Sequence, residues 1–137
     1  MAEENYKHSE ITDKIIQAFY TVYNALGYGF LEKVYENAMV IELTNMGLRV
    51  VAQYPIKVYY ENHEVGFYFA DLLVEDCVTV ELKSAESIST EHEAQLINYL
   101  RATEIEIGLL MNFGKKAQFK KKAFSNDFKL NFEKAGE

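Results

Sequence analysis

The amino-acid sequence predicts an α/β fold, a three-layer-like sandwich in which helices flank a central mixed β-sheet. Three observations lead to this prediction. The chain begins with two segments of helical periodicity, continues with segments rich in valine and aromatics, and then contains a strand–helix–strand passage. The predicted order of elements is α-α-β-β-β-β-α-β, followed by one further terminal element.

Two helices with one apolar side each are predicted for the N-terminal third. Ser9 is the predicted N-cap of the first helix, which should end at Gly27, and the second should end at Gly47. The apolar residues at helical spacing are Ile11, Ile15, Ala18, Phe19, Val22, Tyr23 and Leu26 in the first helix, and Leu31, Val34, Tyr35, Ala38, Met39 and Leu43 in the second.

Four antiparallel strands are predicted to follow. They cover residues 49–53, 56–60, 65–74 and 77–83, with Pro55 separating the first two. Turns are expected at residues 61–64 and at residues 75–76, where polar residues interrupt the apolar pattern. This part of the chain is therefore expected to form a meander.

The last third of the chain supplies the crossover. A helix is predicted for residues 91–102, a buried strand for the apolar run 105–113, and a strand or helix for residues 117–124. Because two parallel neighbours need a crossover connection, the strand–helix–strand passage implies a mixed sheet.

Length and composition indicate a single domain. The chain has 137 residues, of which 49% are hydrophobic and 26% charged, as expected of a globular protein. One proline and seven glycines leave no room for a flexible linker. We expect residues 1–137 to form one domain, with a polar tail from about residue 125.

Several features favour a cytoplasmic location. Cys77 is the single cysteine, so an intramolecular disulfide is excluded and a reducing compartment is favoured. Residues 1–10 are polar and lack the apolar stretch of a secretory signal. No segment approaches the roughly 20 apolar residues that span a bilayer, so no membrane association is expected.

The charge balance bears on the possible partners. The net charge is −7, whereas proteins that hold duplex DNA usually carry a basic surface. A local cluster of lysines is formed by Lys115, Lys116, Lys120, Lys121 and Lys122. It is typical either of a phosphate-binding patch or of an edge strand kept soluble by lysines.

Three charged residues lie within otherwise apolar strands. Glu81 and Lys83 point to the same side of their strand, about 7 Å apart. Asp71 belongs to an apolar stripe of the preceding strand that is formed by Val65, Phe67, Phe69 and Leu73. Burying an uncompensated carboxylate is unfavourable, so each acid needs a cation or a hydrogen-bond donor.

Two interpretations of these charges are open. In the first, Asp71 and Glu81 bind Mg²⁺ or Mn²⁺, which activates water and stabilises a phosphoryl transition state, and Lys83 orients the water or neutralises the phosphate. In the second, Lys83 forms a buried ion pair with Asp71 or Glu81 and the residues have no catalytic role.

The sequence also resembles a known family. Residues 29–35, Gly-Phe-Leu-Glu-Lys-Val-Tyr, match the G-x-x-E-x-x-Y signature of the GxxExxY proteins, a branch of the PD-(D/E)XK nuclease-like superfamily. The resemblance continues through residues 70–73, 80–83, 92–100 and 108–114 and covers roughly residues 10–124. It implies a restriction-endonuclease-like core. Ala70 stands where the superfamily name puts proline.

The resemblance implies roles for individual residues. Asp71 and Glu81 correspond to the metal-binding acids, Lys83 to the catalytic lysine, and Glu32 to an additional acid that completes the metal shell. Gln95 and Tyr99 resemble the Q-x-x-x-Y element of RecB-like nucleases, which contacts nucleic acid near the cleavage site. These two residues are four apart and therefore share one side of a helix.

Structural roles remain open for several of these residues. Glu32 is also explained as an ordinary acid in the first turn of a helix. Tyr35 is expected to pack in the core, and Gln95 and Tyr99 could hydrogen-bond the end of the sheet. His92 is expected to be a helix-face residue, and Leu96 stands where a zinc-protease helix would need its second histidine.

Two functions follow as hypotheses. The first is a divalent-metal-dependent phosphodiesterase, a nuclease that hydrolyses nucleic acid through Asp71, Glu81, Lys83 and Glu32, with Mg²⁺ or Mn²⁺ as cofactor. The second is a catalytically silent nuclease-fold module that acts in protein binding or assembly, which the net charge of −7 favours. A homodimer is a further hypothesis, because a domain of this size contacts few nucleotides.

Overall fold

The computed structural model describes residues 8–129. The helices and strands in this range are α1 (Ser9–Leu26), α2 (Glu32–Asn45), β1 (Val50–Tyr60), β2 (His63–Val74), β3 (Val78–Lys83), α3 (Thr90–Ala102), β4 (Ile107–Phe113) and β5 (Ala117–Ala123), followed by a 3₁₀ turn at Asn126–Phe128. Within these residues the strands form one five-stranded sheet in the order β1-β2-β3-β4-β5.

The sheet is mixed, as predicted. β3 and β4 are parallel and are joined by α3, whereas the other neighbours are antiparallel. One cluster of buried residues joins α1 and α2 to one side of the sheet, and a smaller cluster joins α3 to the other side. The predicted fold class, helices flanking a mixed sheet, is confirmed.

Pro55 does not divide two strands. Residues 50–60 form the single strand β1, in which Pro55 pairs with Phe69 of β2, so the predicted break at this residue is wrong. β1 lies at the edge of the sheet, where a residue without an N–H group can face away from the neighbouring strand. The connection to β2 is a tight turn at Glu61 and Asn62, both with positive φ.

The helix ends agree with the prediction at two of the three predicted positions. α1 ends before Gly27, whose N–H donates to Tyr23 O at 2.7 Å. α2 ends in a Schellman motif with Gly47 at φ 85°, because Leu48 N–H donates to Leu43 O. The predicted N-cap is wrong: His8 occupies that position, and Ser9 is the first helical residue.

The last predicted element, which could have been strand or helix, is strand β5. Part of the predicted polar tail beyond it packs against the domain. Lys129 is buried, and its Nζ donates to Thr103 O at 2.8 Å and to Ile105 O at 2.7 Å. No helix within residues 8–129 is both long enough and apolar enough to span a membrane.

Tyr35 connects the core to the loop between α1 and α2. Its ring is fully buried and stacks on Phe113 of β4, with ring centroids 4.1 Å apart. Its hydroxyl donates to Gly27 O at 2.7 Å and accepts from Phe30 N–H at 3.2 Å. The expectation that Tyr35 packs in the core is confirmed, and its hydroxyl also fixes the loop 27–31.

We predict that Tyr35→Phe lowers the free energy of unfolding by about 1–3 kcal/mol, because the backbone groups of Gly27 and Phe30 lose their shared partner. Urea denaturation measures this difference. Tyr28→Phe, in the same loop and exposed, is the matched control and should change stability by less than about 0.5 kcal/mol. Equal effects of the two substitutions would contradict the assigned role of the Tyr35 hydroxyl.

Candidate active site

Asp71 and Glu81 face each other where the pairing of β2 with β3 ends. The last paired residues are Leu72 and Val80, so Asp71 and Glu81 are the next opposite pair in the register. Each carboxylate bonds a backbone N–H of the opposite strand: Glu81 Oε2 accepts from Asp71 N at 3.2 Å, and Asp71 Oδ2 accepts from Leu82 N at 2.8 Å. The two acids therefore replace the backbone hydrogen bonds with which the ladder would have continued.

The regular alternation of β2 breaks at Asp71. Ala70 packs in the cluster under α3, whereas Leu72 packs in the cluster under α1 and α2. Residues of one strand that are two apart would share a side if the alternation were regular. The predicted uninterrupted stripe from Val65 to Leu73 is therefore wrong, and Asp71 lies at the point where the strand changes sides.

Glu81 and Lys83 lie on the α3 side of β3. Glu81 is aligned with Leu110 of β4, which packs under α3, and Lys83 is aligned with Asn112. The buried Asn112 side chain bonds both Ala85 N and Ala85 O at 2.9 Å, which fixes the backbone as it leaves β3. The prediction that Glu81 and Lys83 share one side is confirmed.

The two acids are in a poor environment for negative charge. Burial raises the pKa of Glu81 to about 9, and the nearby charge of Asp71 contributes to this increase. Burial also raises the pKa of Asp71, to which the charges of Glu36 and Glu32 contribute, while Lys83 acts in the opposite direction on both acids. The raised pKa values therefore favour a protonated Glu81 near neutral pH.

The alternative of a buried ion pair is not found within residues 8–129. No salt bridge joins Lys83 to Asp71 or to Glu81 in this part of the chain. The ammonium group of Lys83, half-buried, still lowers the pKa of both acids through its charge. Lys83 thus lies near the two acids without forming a salt bridge with either of them.

α2 supplies a buried acid that the sequence analysis missed. Glu36, only 4% exposed, accepts from Gln53 Nε2 at 2.6 Å and from Lys33 Nζ at 2.7 Å. Glu32, one turn earlier, is exposed, and its effect on the pKa of Asp71 is smaller than that of Glu36. The sequence does contain an indication of Glu36, because it lies four residues after Glu32, on the same side of the helix, and directly after the buried Tyr35.

α3 brings Tyr99 to the acids but leaves Gln95 exposed. The Tyr99 hydroxyl lies close to the Glu81 carboxylate and interacts with it electrostatically, and the Tyr99 ring stacks on Tyr68 of β2 at 4.4 Å between centroids. Burial and the charge of Glu81 raise the pKa of both tyrosines. Tyr68 was missed by the sequence analysis.

His92 forms a capping box with Ser89, in which Ser89 N–H donates to His92 Nδ1 at 3.2 Å. His92 therefore stabilises the start of α3.

Comparisons with known proteins identify the superfamily and a similar fold. A family model described as PD-(D/E)XK nuclease superfamily matches residues 9–123. The chain belongs to this superfamily. The solved structure of SSO0001 has a similar fold, with a TM-score of 0.51 and 16% sequence identity; the match covers 68% of this chain and 50% of SSO0001. This chain thus spans half the length of SSO0001. No curated protein matches.

PD-(D/E)XK nucleases generally use divalent metal ions, and Mg²⁺ prefers oxygen ligands such as carboxylates. Residues 8–129 contain no group of three His, Cys, Asp or Glu side chains placed to hold a metal, so the three-acid shell of Asp71, Glu81 and Glu32 stays a prediction. Mg²⁺ needs only one or two carboxylates because it keeps several waters. The facing pair of Asp71 and Glu81 fits this requirement.

We predict that the metal-free protein becomes less stable as the pH rises from about 5 to about 9. Folding raises the pKa of Glu81 from 4.5 to about 9, so in this window the folded state holds a proton that the unfolded state has lost. The stability present below the unfolded pKa is therefore lost as the pH approaches the folded pKa.

Urea denaturation in EDTA at several pH values measures this dependence. Glu81→Gln should abolish this decrease of the unfolding free energy with pH. The slope of the decrease is at most about 1.4 kcal/mol per pH unit, because a single proton is involved. The exposed Glu86→Gln is the control and should leave the profile unchanged. Parallel profiles for wild type and Glu81→Gln would contradict the protonated state of Glu81.

Proposed function

We propose that this protein is a divalent-metal-dependent nuclease that hydrolyses phosphodiester bonds of nucleic acid. The observation that carries the proposal is the facing pair of Asp71 and Glu81, with Lys83 on the same strand and free of a salt bridge to either acid within residues 8–129. Membership of the PD-(D/E)XK nuclease superfamily supports the same activity.

Asp71 and Glu81 would hold Mg²⁺ or Mn²⁺. When bound, the ion would supply positive charge to the phosphate and lower the pKa of a water molecule. The ion would also favour the ionised state of both acids, which burial alone disfavours. Lys83, on the side of β3 that faces α3, would orient the attacking water or neutralise charge that develops on the phosphate.

Tyr99 acts as a positioning residue in this proposal. Its hydroxyl lies close to the carboxyl of Glu81 and lowers the pKa of that group, and the stack on Tyr68 holds its ring in place. Gln95, exposed one turn earlier on α3, is available to contact nucleic acid. The two residues therefore have separate roles, although they lie on the same side of the helix.

The G-x-x-E-x-x-Y segment supports assignment to the GxxExxY branch of the superfamily. Tyr35 bonds both Gly27 and Phe30, and Ser84 Oγ, directly after Lys83, donates to Phe30 O at 2.9 Å. The segment is therefore tied to the end of the strand that carries the catalytic lysine. Glu32, at the start of α2 and close enough to influence the pKa of Asp71, is therefore proposed to contribute to the metal shell through water.

Nucleic acid is the proposed partner, and a homodimer is a secondary hypothesis. The lysine cluster lies on β5 and on the hairpin before it, at the opposite edge of the sheet from β1. Lys122 of this cluster bonds Glu93 of α3 at 2.7 Å. Since β5 is an edge strand, both the phosphate-binding and the solubilising interpretation of its lysines are retained.

The silent module is the second candidate, and the net charge of −7 favours it. In that case Glu81 would stay protonated, and its contact with Tyr99 would only stabilise the fold. Metal-dependent cleavage by the purified protein separates the two candidates.

We predict that Lys83→Ala abolishes cleavage and leaves the fold intact, because the half-buried ammonium has no salt bridge within residues 8–129 on which the fold depends. Labelled single- and double-stranded DNA and RNA, incubated with Mg²⁺ or Mn²⁺, measure the activity, and circular dichroism measures the fold. Lys14→Ala, on the exposed side of α1, is the control. Undiminished cleavage by Lys83→Ala would rule out the mechanism.

We also predict that Mg²⁺ and Mn²⁺ bind the wild-type protein and that the Asp71→Ala/Glu81→Ala double variant loses this binding. Isothermal titration calorimetry measures both. The matched control is Glu10→Ala/Asp13→Ala, which removes the same charge from the exposed side of α1. Equal binding by the two double variants would show that the ions bind elsewhere on the acidic surface.

A further inference from the structure

A cavity lies between α3 and the strands β1 and β2. Its volume is about 340 Å³, at the lower end of the range of about 300–1,000 Å³ that is typical of sites for small organic ligands. The cavity is lined by two residues of the strands and three of α3, which are Val58, Tyr68, Asn98, Arg101 and Ala102. We call it the Tyr68 cavity.

The Tyr68 cavity lies on the same side of the sheet as Glu81. Tyr68 packs against the smaller cluster of buried residues under α3, which also contains Leu110, the residue of β4 that is aligned with Glu81. Tyr68 precedes Asp71 by three residues, which is about 10 Å along β2. One strand of a duplex rises about 3.4 Å per nucleotide, so this separation corresponds to about three nucleotides.

Tyr68 connects the cavity to the candidate active site. Its ring stacks on Tyr99, with centroids 4.4 Å apart and an interplanar angle of 29°, and the Tyr99 hydroxyl lies close to Glu81. Tyr68 lines the cavity with the part of its ring that this stack leaves uncovered. A planar base can stack on such a ring whatever its sequence identity.

The polar groups of the cavity match those of a nucleotide. Arg101 alone is charged among the described residues that line it, and no salt bridge within residues 8–129 engages its exposed side chain. Its guanidinium carbon lies 5.1 Å from the centroid of the Phe124 ring, a contact that holds it in position. A guanidinium binds phosphate through paired N–H donors, and the amide of Asn98 can donate to and accept from the edge of a base.

Size and position select the occupant. A stable protein interface uses about 20–30 residues from each partner, far more than the lining of this cavity supplies. The cation in the lining favours an anionic ligand. Gln95, which is proposed above to contact nucleic acid, is exposed and lies three residues before the exposed Asn98. The two side chains are therefore neighbours on α3, and a strand that contacts Gln95 continues to the cavity.

We propose that the Tyr68 cavity binds one nucleotide of the substrate strand, with its base on Tyr68 and its phosphate at Arg101, about three nucleotides from the scissile bond. This inference deepens the proposed nuclease function and rests on it. A base must be unpaired to enter the cavity, so the substrate strand is unpaired at this position.

Fluorescence anisotropy of a labelled single-stranded oligonucleotide tests this inference. Titrations use the Lys83→Ala protein with Mg²⁺, so that the probe stays intact. In this background, Asn98→Ala/Arg101→Ala should weaken binding by about tenfold or more, because a charged hydrogen bond to phosphate and the contacts to the base edge are lost. Ala102→Phe should weaken binding to a similar extent, because the larger side chain fills the cavity.

A control variant and modified probes make the test specific. Asn37→Ala/Lys14→Ala removes one amide and one cation from the exposed sides of α2 and α1 and should bind normally. Circular dichroism checks that every variant is folded. Probes that lack the base of a single nucleotide locate the occupant. Loss of one particular base should weaken binding by the Lys83→Ala protein and should have no further effect on the variant that also carries Ala102→Phe.

The source of the nucleotide is decided by competition with an unlabelled nucleoside monophosphate. Displacement of the probe at concentrations as low as those of the unlabelled oligonucleotide would show a site for free nucleotides and would overturn the inference. Unchanged affinity of either cavity variant, equal effects of base removal at every position, or no binding by the Lys83→Ala protein would overturn it as well. Failure of the nuclease proposal is distinguishable, since the wild-type protein would then lack cleavage while cavity-dependent binding persists.

Discussion

The placement of two carboxylates between diverging strands determines much of this structure. β2 and β3 pair through Leu72 and Val80, and beyond this point Asp71 and Glu81 accept the backbone hydrogen bonds of the opposite strand. Where the sheet opens, these two side chains thus replace backbone carbonyl groups as hydrogen-bond acceptors. At this opening Asp71 is half-buried and Glu81 is buried, and the backbone N–H groups of Asp71 and Leu82 stay satisfied, which a simple separation of the strands would not achieve.

Residues of β1 and α2 also interact at the position of Asp71 in the sheet. Gln53 lies opposite Asp71 in the register, between the pairs formed by Ala52 and Tyr54, and its backbone has a φ of 56°. Its amide donates to Glu36, which raises the pKa of Asp71 through its charge. A local irregularity in the edge strand is therefore connected, through one helix residue, to the electrostatics of the site.

Sequence periodicity predicted the elements well because the helices and central strands have clear apolar patterns, and it placed Glu81 and Lys83 on one side correctly. It failed where tertiary context decides. Pro55 is compatible with a strand only because β1 is at the edge, which no local pattern reveals. Glu36 is one acid among many in a helix until packing buries it, and the reversal of sides at Asp71 arises from the opening of the sheet.

The electrostatics of the site connect metal binding to proton release. Burial and mutual repulsion raise the pKa of both acids, so at neutral pH the metal-free pair holds a proton on Glu81. If Asp71 and Glu81 bind a divalent ion as proposed, the ion would need the ionised carboxylates, so its binding would displace that proton and its apparent affinity would rise with pH. Tyr99 acts in the same direction, because its hydroxyl, which lies close to Glu81, lowers the pKa of that carboxyl. Burial therefore favours a protonated carboxyl in the metal-free site, whereas a bound cation would favour the ionised carboxylates of Asp71 and Glu81.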